Sequence, residues 1–443
     1  MITDDRTNMA SPRSGWTRRS FLGIGSAGLA AALVGCSGAS GSKGSTTKAT
    51  IRAAFYGGDP VLAGLKQAFD TYTTKHQGVT ITPELTPFGD YWSKLSTQVA
   101  GRNAPDVLRM SMSYFADYAQ RGALLDLTDK IGSGIKISEL DKDVASSGKI
   151  ADQTYGIGQS SISHAVFTRP ELWEKAKVDA PPADWTWDSF AEWAKGFASE
   201  AGSGTYGTTD AGGNLQIFEP FARQHGHDLF SADGKALAVP ADVVEEWLGY
   251  WDGLRRAKAA PPLDVSAEAG DFDTNLMTKG RAPLTFGWVQ QITFYAPLID
   301  ASVDIAALPS AKAGSVEGQF IKALDFWSIS AQSRNIDASV ALVDFLINDP
   351  AAIKAIGLNL GVPPSEAARR ALGSDPKSAE GKAIGYVERI KDRVGPPPGA
   401  WPKGYGDLLQ SFARLNEDVG FGKSNPAKAA AGFVEGARKS LAG

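Results

Sequence analysis

Four histidines, one cysteine and scattered carboxylates are the side chains from which a catalytic or metal centre in this chain would have to be built. His225 and His227 stand two apart, so on a strand they would share a face and could begin a metal site, but no third ligand accompanies them at metal-site spacing. A solvated loop or a partly buried polar pair is the expectation there. Glu245 and Glu246 are adjacent and so point apart on a helix. The nucleophile elbow GxSxG is absent, as is the phosphate-cradling GxxxxGK[ST]. A glycosidase pair of carboxylates is defined by its separation in space, so the sequence leaves that possibility open. No catalytic residue, metal ligand or cofactor loop is assigned.

Binding chemistry has more to draw on. Sugars are held by aromatic faces against C–H surfaces and by polar side chains that satisfy hydroxyls in a partly dry cleft. Five segments combine both kinds of residue at a strand end or a glycine-rich turn: LRMSMSYFADY (108–118), YGIGQSS (155–161), TDAGGNLQIF (209–218), FGWVQQ (286–291) and LDFWSIS (324–330). The chain has eleven Trp, eleven Tyr and twenty Phe. Most are expected in the core, Trp327 on a buried strand among them, while Trp288 is balanced between core and cleft.

The elements that must position these loops alternate. IRAAFY (51–56) is a short apolar run stopped by Gly57 to Asp59, and Pro60 then opens a helical pattern through Leu65, Phe69 and Tyr72. VTITPEL (79–85) alternates as a strand, DYWSKLSTQV (90–99) returns to helical spacing, and DVLRM (106–110) is again a strand. Thr186 is a helix N-cap before Phe190, Trp193 and Phe197. KGRAPLTFGW (279–288) and VDIAALP (303–309) are strands, and ASVALVDFLIND (338–349) is a helix stopped by Pro350. Such alternation predicts an α/β chain with a largely parallel sheet, ligands binding beyond the carboxyl ends of its strands.

The single cysteine sits outside this pattern. Arg18 and Arg19 precede an uncharged run from Phe21 to Gly35, shorter than a spanning helix needs, and Cys36 follows it directly. Thr17 to Leu22 resembles a twin-arginine export signature, and Leu33, Val34, Gly35 and Cys36 resemble a lipobox whose cysteine becomes the lipidated first residue. Residues 1–35 are thus expected to be a signal peptide, and 36–49, rich in Gly, Ser and Thr, a lipidated cysteine with its flexible spacer. A net charge of −4 with no basic stripe argues against nucleic acid as a partner.

The order PDVLRMSMSYFADYAQRGALLDLTD (105–129), YGIG (155–158), ADWTWDSFAEWAK (183–195), MTKGRAPLTFGW (277–288), then FWSISAQSRNIDASVALVDFLIND (326–349) with GVPPS (361–365) resembles the extracellular solute-binding proteins of bacterial carbohydrate ABC transporters, the maltose-binding-like family 1. The resemblance implies a two-lobed periplasmic-binding-protein-like fold with a hinge and an inter-lobe ligand cleft. It assigns 50–158 plus 310–348 to one lobe and 159–309 plus 349–443 to the other. It also implies a sugar ligand, delivery to an ABC permease, no enzymatic activity, and a monomer held outside the cytoplasm on the membrane by lipidated Cys36. Carried over by position, its ligand loops fall on Gly58 and Asp59, on Ser111, Ser113 and Tyr114, on Gln159 and Ser160, on Asn214 and Gln216, and on Trp288. Trp401 and Tyr405 fit its late aromatic wall. YGIG lacks the proline common after this strand, and Ser and Tyr stand in the first-lobe loop where many relatives carry charges. A neutral di- or oligosaccharide is therefore the expected ligand. A secreted carbohydrate-active enzyme and a binder of a non-sugar solute are the alternatives.

Overall fold

The structure, a computed structural model, describes residues 48–231, 234–399 and 401–441. Arg18, Arg19, Cys36 and the expected signal peptide lie outside the described residues.

The first half alternates as its hydrophobic pattern requires: β1 (Ala49–Tyr56), α1 (Asp59–Lys75), β2 (Val79–Thr86), α2 (Phe88–Ala100), β3 (Val107–Ser111), α3 (Met112–Gln120) and β4 (Ile157–Gly158). A second run follows with β5 (His164–Thr168), α4 (Trp187–Ala201), α5 (Leu215–Gln224), α6 (Ala241–Arg256), β6 (Leu284–Trp288) and β7 (Asp304–Ala306). The chain then returns through β8 (Asp325–Ile329) and ends in α7 (Ile336–Asn348), α8 (Pro350–Ile356), α9 (Glu366–Leu372), α10 (Ala379–Ile390), α11 (Tyr405–Gly420) and α12 (Pro426–Leu441).

Two sheets result. The larger has the order β2-β1-β3-β8-β4, and the smaller β6-β5-β7. β1 runs parallel to β2 from Ala49↔Val79 to Tyr56↔Thr86, and parallel to β3. β8 enters antiparallel, pairing Asp325 with Ser111 and Phe326 with Gly158, because it arrives from the other sheet. The smaller sheet is antiparallel throughout, with His164 opposite Trp288 and Val166 opposite Ala306. The expectation of a largely parallel sheet therefore holds only for β1, β2 and β3.

Alternate residues of β1 enter different cores, which is why the strand reads as a nearly continuous apolar run. Ile51, Ala53 and Phe55 meet Leu65 and Phe69 of α1 and Val343 and Ile356 of α7 and α8. Ala54 and Tyr56 face Tyr91 and Leu95 of α2 and Phe115 of α3. The second sheet buries its face in aromatic side chains: Phe286 lies 5.7 Å from Trp251, and Trp187 lies 5.5 Å from Trp247. Thr186 caps α4 in a reciprocal pair with Ser189, fixing where Trp187 enters that core.

Three crossings join the two lobes. The middle one, 159–163, is bridged antiparallel to Lys322 through Ile162 and to Val362 through Ser161. The second crossing thus runs through Gln319–Leu324 and not at Pro309, where the strand pattern suggested it. Pro309 O accepts from Gln224 of α5, and Ser310 exchanges backbone bonds with Trp185 and Trp187, so this stretch is held on the smaller sheet's side. Among the described residues, no helix is long and apolar enough to cross a membrane.

Candidate functional site

β6 ends at Trp288, opposite His164, the first strand residue after the middle crossing, so this tryptophan stands at the hinge end of the smaller sheet. Its ring centroid lies 4.1 Å from that of His164, its Nε1 donates to Gln216 Oε1 at 3.4 Å, and its backbone N–H donates to Gln291 Oε1 at 2.9 Å. That last contact needs Gly287: a Cβ there would stand 2.1 Å from Gln291 Oε1. Trp288 retains 9% of its exposure and forms part of the wall of a cavity of about 400 Å3.

The other polar groups around this cavity are mostly amides and hydroxyls, among them Asn214, Gln216, Asn275, Gln291, Thr209 and Thr285. Two carboxylates line it: Asp271, which is exposed, and Asp210, which is buried and pinned by Arg255 at 2.7 Å. No lysine or arginine does. His164, fully buried beneath Trp288, is kept neutral, because burial, aided by the positive charges of Arg223 and Lys322, holds its pKa down to about 3. Asn214 is the N-cap of α5, its Oδ1 accepting from the backbone of Gln216 and Ile217. One of its polar atoms is therefore already occupied.

Gln216 leads from the cavity toward the late aromatic residues. Trp401 and Tyr405 stack at 4.1 Å and 12°, but they are 2% and 0% exposed. The pair stands inside a buried cluster: Trp401 Nε1 donates to Glu219 at 3.3 Å, while Lys322 Nζ lies 5.5 Å from the Trp401 ring and donates to Pro398 O and Gly399 O. Burial raises the Glu219 carboxyl and lowers the Lys322 ammonium from their ordinary values, and each charge pulls the other back. As placed, these two aromatics support the wall from behind.

The first-lobe edge faces this wall with a different surface. Ser111 caps α3, accepting from Ser113 N, and Tyr114 stacks on Trp92 at 4.1 Å. A Cβ on Gly406 would stand 3.5 Å from Tyr114 Oη, so Tyr114 meets the start of α11, one residue past Tyr405. Phe88 adds an aromatic face, 5.0 Å from Tyr56 and 47% exposed. Beneath them Arg109, buried in β3, donates to Asp325 Oδ2 at 2.7 Å and to Tyr56 O at 2.8 Å, and Asp325 also accepts from the Tyr56 hydroxyl. Oriented to satisfy both groups, the Gln159 amide oxygen accepts from Arg109 Nε at 3.0 Å. Ser160 is buried against Gly361, next to Val362. Gly58 and Asp59 are exposed at the start of α1, beyond the C-terminal end of β1.

Trp288, Gln216, Trp401 and Tyr405 thus come together, and Tyr114 lies beside Gly406 at the start of α11, next to Tyr405. Sequence reasoning missed Arg109, Asp325, Tyr56, Phe88, Trp92 and His164. An arginine within the apolar strand DVLRM was a readable signal, since a buried guanidinium demands partners. Phe88 and Trp92, four apart on α2, were another. His225 belongs to neither wall: its Nδ1 faces Phe221 O at 2.8 Å and its Nε2 faces Glu246 at 3.3 Å. Among the described residues no cluster of His, Cys, Asp and Glu could hold a metal ion.

The family model described as bacterial extracellular solute-binding protein matches residues 58–353. A solved extracellular solute-binding protein, family 1, from Alicyclobacillus acidocaldarius is 28% identical, with a TM-score of 0.70 over 89% of this chain and 99% of that one. An ABC substrate-binding protein of Listeria monocytogenes, solved in complex with cycloalternan, is 21% identical, with a TM-score of 0.75 over 88% of this chain and 98% of that one. An uncharacterized lipoprotein of Streptomyces antibioticus is 24% identical over 65% of this chain and 64% of its own length.

Proposed function

This chain belongs to the bacterial extracellular solute-binding proteins, and from that premise we propose that it captures a neutral di- or oligosaccharide between its two lobes and delivers it to an ABC importer. One observation carries the choice of ligand: the cavity beside Trp288 is lined by amides and hydroxyls around an aromatic face, and no lysine or arginine lines it. A sugar acid or sugar phosphate would bury its charge there unpaired, at a cost that a neutral sugar avoids. The cycloalternan bound to the Listeria relative supports the same class.

The ligand would meet Trp288, Gln216 and Asn214 on one side and Ser111, Ser113, Tyr114 and Gln159 on the other. Gly58 and Asp59 would reach it at the mouth, while Trp401 and Tyr405, buried behind the wall, would brace it rather than touch the ligand. The lobes would divide near 158 and, in place of 309, near 319–324, with α8 and α9 kept beside α1 of the first lobe rather than with the second. The protein would act as a monomer, tethered outside the cytoplasm by lipidated Cys36 after removal of residues 1–35. The Leu33 to Cys36 sequence and the lipoprotein named among the relatives support the tether.

A thermal-shift panel tests the ligand class, because a ligand at 100 times its Kd adds about 2.7 kcal/mol of stability. A neutral oligosaccharide is expected to raise Tm by several degrees. A rise with uronides, polyamines or metal ions alone would overturn the assignment. The tether is tested separately: Cys36→Ser should release the protein from membranes in cells lacking the permease, and continued membrane fractionation would refute it. Replacing Arg18 and Arg19 with Lys should block export, and unaltered export would point to the ordinary secretory route.

A further inference from the structure

Of the three crossings, 159–163 lies in the middle, with Lys322 on one edge and Val362 on the other. The Lys322 edge carries the Glu219 and Trp401 cluster. The Val362 edge carries a separate ionic cluster centred on Arg369 of α9, whose side chain is 2% exposed.

The Arg369 guanidinium grips Asp141 with both prongs, Nη1 to Oδ2 at 2.8 Å and Nη2 to Oδ1 at 3.2 Å. Nη1 also donates to Pro363 O at 2.9 Å, next to Val362, and Nε donates to Glu388 Oε1 at 2.7 Å. Asp141 in turn accepts from Ser161 Oγ of the middle crossing at 2.7 Å, and its backbone N–H donates to Pro364 O. Arg369 stands on the first sheet's side, since α9 packs on α8 and α8 on α1. Glu388 stands on the other, since α10 packs on β7. One buried guanidinium therefore joins both lobes, the middle crossing and the segment bridged to it at Val362.

We infer that Arg369 is a positioning residue for ligand capture, acting from outside the cleft through its bond to Glu388 to limit how far the lobes separate. Relative motion of α9 and α10 must stretch the Arg369 to Glu388 bond while leaving the fork on Asp141 intact. With the fork on Asp141 kept, that motion would leave the buried Nε–H of Arg369 without an acceptor, a loss that burial makes costly. The bond to Glu388 is thus the one element of the cluster that opposes opening. The inference rests on the proposed capture between two lobes, taken to open and close about the crossings, and it bears on affinity because a larger open population lowers the fraction competent to close.

The test needs no ligand. Spin labels at Gln67→Cys on α1 and Glu245→Cys on α6, both exposed positions, report the distance between the lobes in a Cys36→Ser chain. Glu388→Gln is expected to lengthen and broaden that distance distribution. Lys391→Ala, which removes the other partner of Glu388, 2.7 Å away, while sparing Arg369, should leave it unchanged. An unchanged distribution in Glu388→Gln, whatever its Tm, would overturn the inference by reducing Arg369 to a purely structural role. Equal lengthening in Lys391→Ala would also overturn it, since the bond to Arg369 would then not be the limiting one. Failure to find a sugar ligand would count against the proposed function and leave this measurement untouched.

Discussion

The two walls of the cleft are built from opposite materials. On the second-lobe side, Trp288 closes a cavity edged by amides and hydroxyls, with a neutral histidine behind it. On the first-lobe side, Arg109, Asp325, Tyr56 and Gln159 satisfy one another beneath an aromatic ledge of Phe88, Trp92 and Tyr114. On the second-lobe side Gln216 and Gln291 spend an oxygen on Trp288 and Asn214 spends one on α5, but all three line the open cavity, whereas the first-lobe groups are paired with one another beneath their ledge. Under the proposed function this difference gives capture and selection to the second lobe, and covering to the first.

The largest effect expected from this contrast is at Trp288. Trp288→Ala should weaken sugar binding by about 1–3 kcal/mol, the scale of losing one large apolar contact. Because the ring is also packed on His164 and only 9% exposed, titration calorimetry should be read beside a melting curve, where a further loss of about 3–5 kcal/mol in stability is expected. Normal affinity in the folded variant would remove Trp288 from the site and dissolve the contrast.

Next is the neutrality of that wall. The unfolded chain protonates His164 near pH 6.5, at about the ordinary histidine value, but burial delays this to about pH 3 in the folded protein. The contribution is complete above about pH 6.5 and is lost as pH falls toward 3, by about 1.4 kcal/mol for each unit. Melting curves from pH 7 to pH 4 should therefore fall more steeply for the native chain than for His164→Gln. Equal slopes would show that this histidine is not held neutral.

Gln216→Ala should cost about 1 kcal/mol of binding, since it removes both a candidate sugar partner and the acceptor that orients the indole. The smallest effect belongs to the first lobe: Phe88→Ala, at a half-exposed position, should leave Tm within a degree and lower affinity less than tenfold. If calorimetry found Phe88 to outweigh Trp288, the roles of the two lobes would be reversed.

Much of the fold was legible because its signals are local. The apolar runs at 51–56 and 106–110, the N-cap at Thr186 and the stop at Pro350 each fall where a strand or helix begins or ends. The orientation of β8 was not legible, because it depends on a crossing that brings Asp325 beside Ser111 across nearly half the chain. The site divides in the same way. Trp288 and Gln216 announce themselves as an aromatic and an amide at the ends of glycine-containing segments. The hydroxyl of Ser111 and one oxygen of Asn214 are taken up by helix caps, which the loop sequences alone do not disclose. The burial of Trp401 and Tyr405 follows from Glu219 and Lys322, residues distant in sequence that only folding brings to them.

The most direct measurement of capture by the second lobe and covering by the first is hydrogen exchange, with and without a saturating amount of the neutral oligosaccharide that raises Tm most. Slowed exchange is expected at 284–291 and 214–217, with a smaller slowing at 112–118 as the first lobe closes over the sugar. Protection confined to the first lobe, or absent from both walls while the sugar is bound, would contradict a ligand held in this cleft on the face of Trp288.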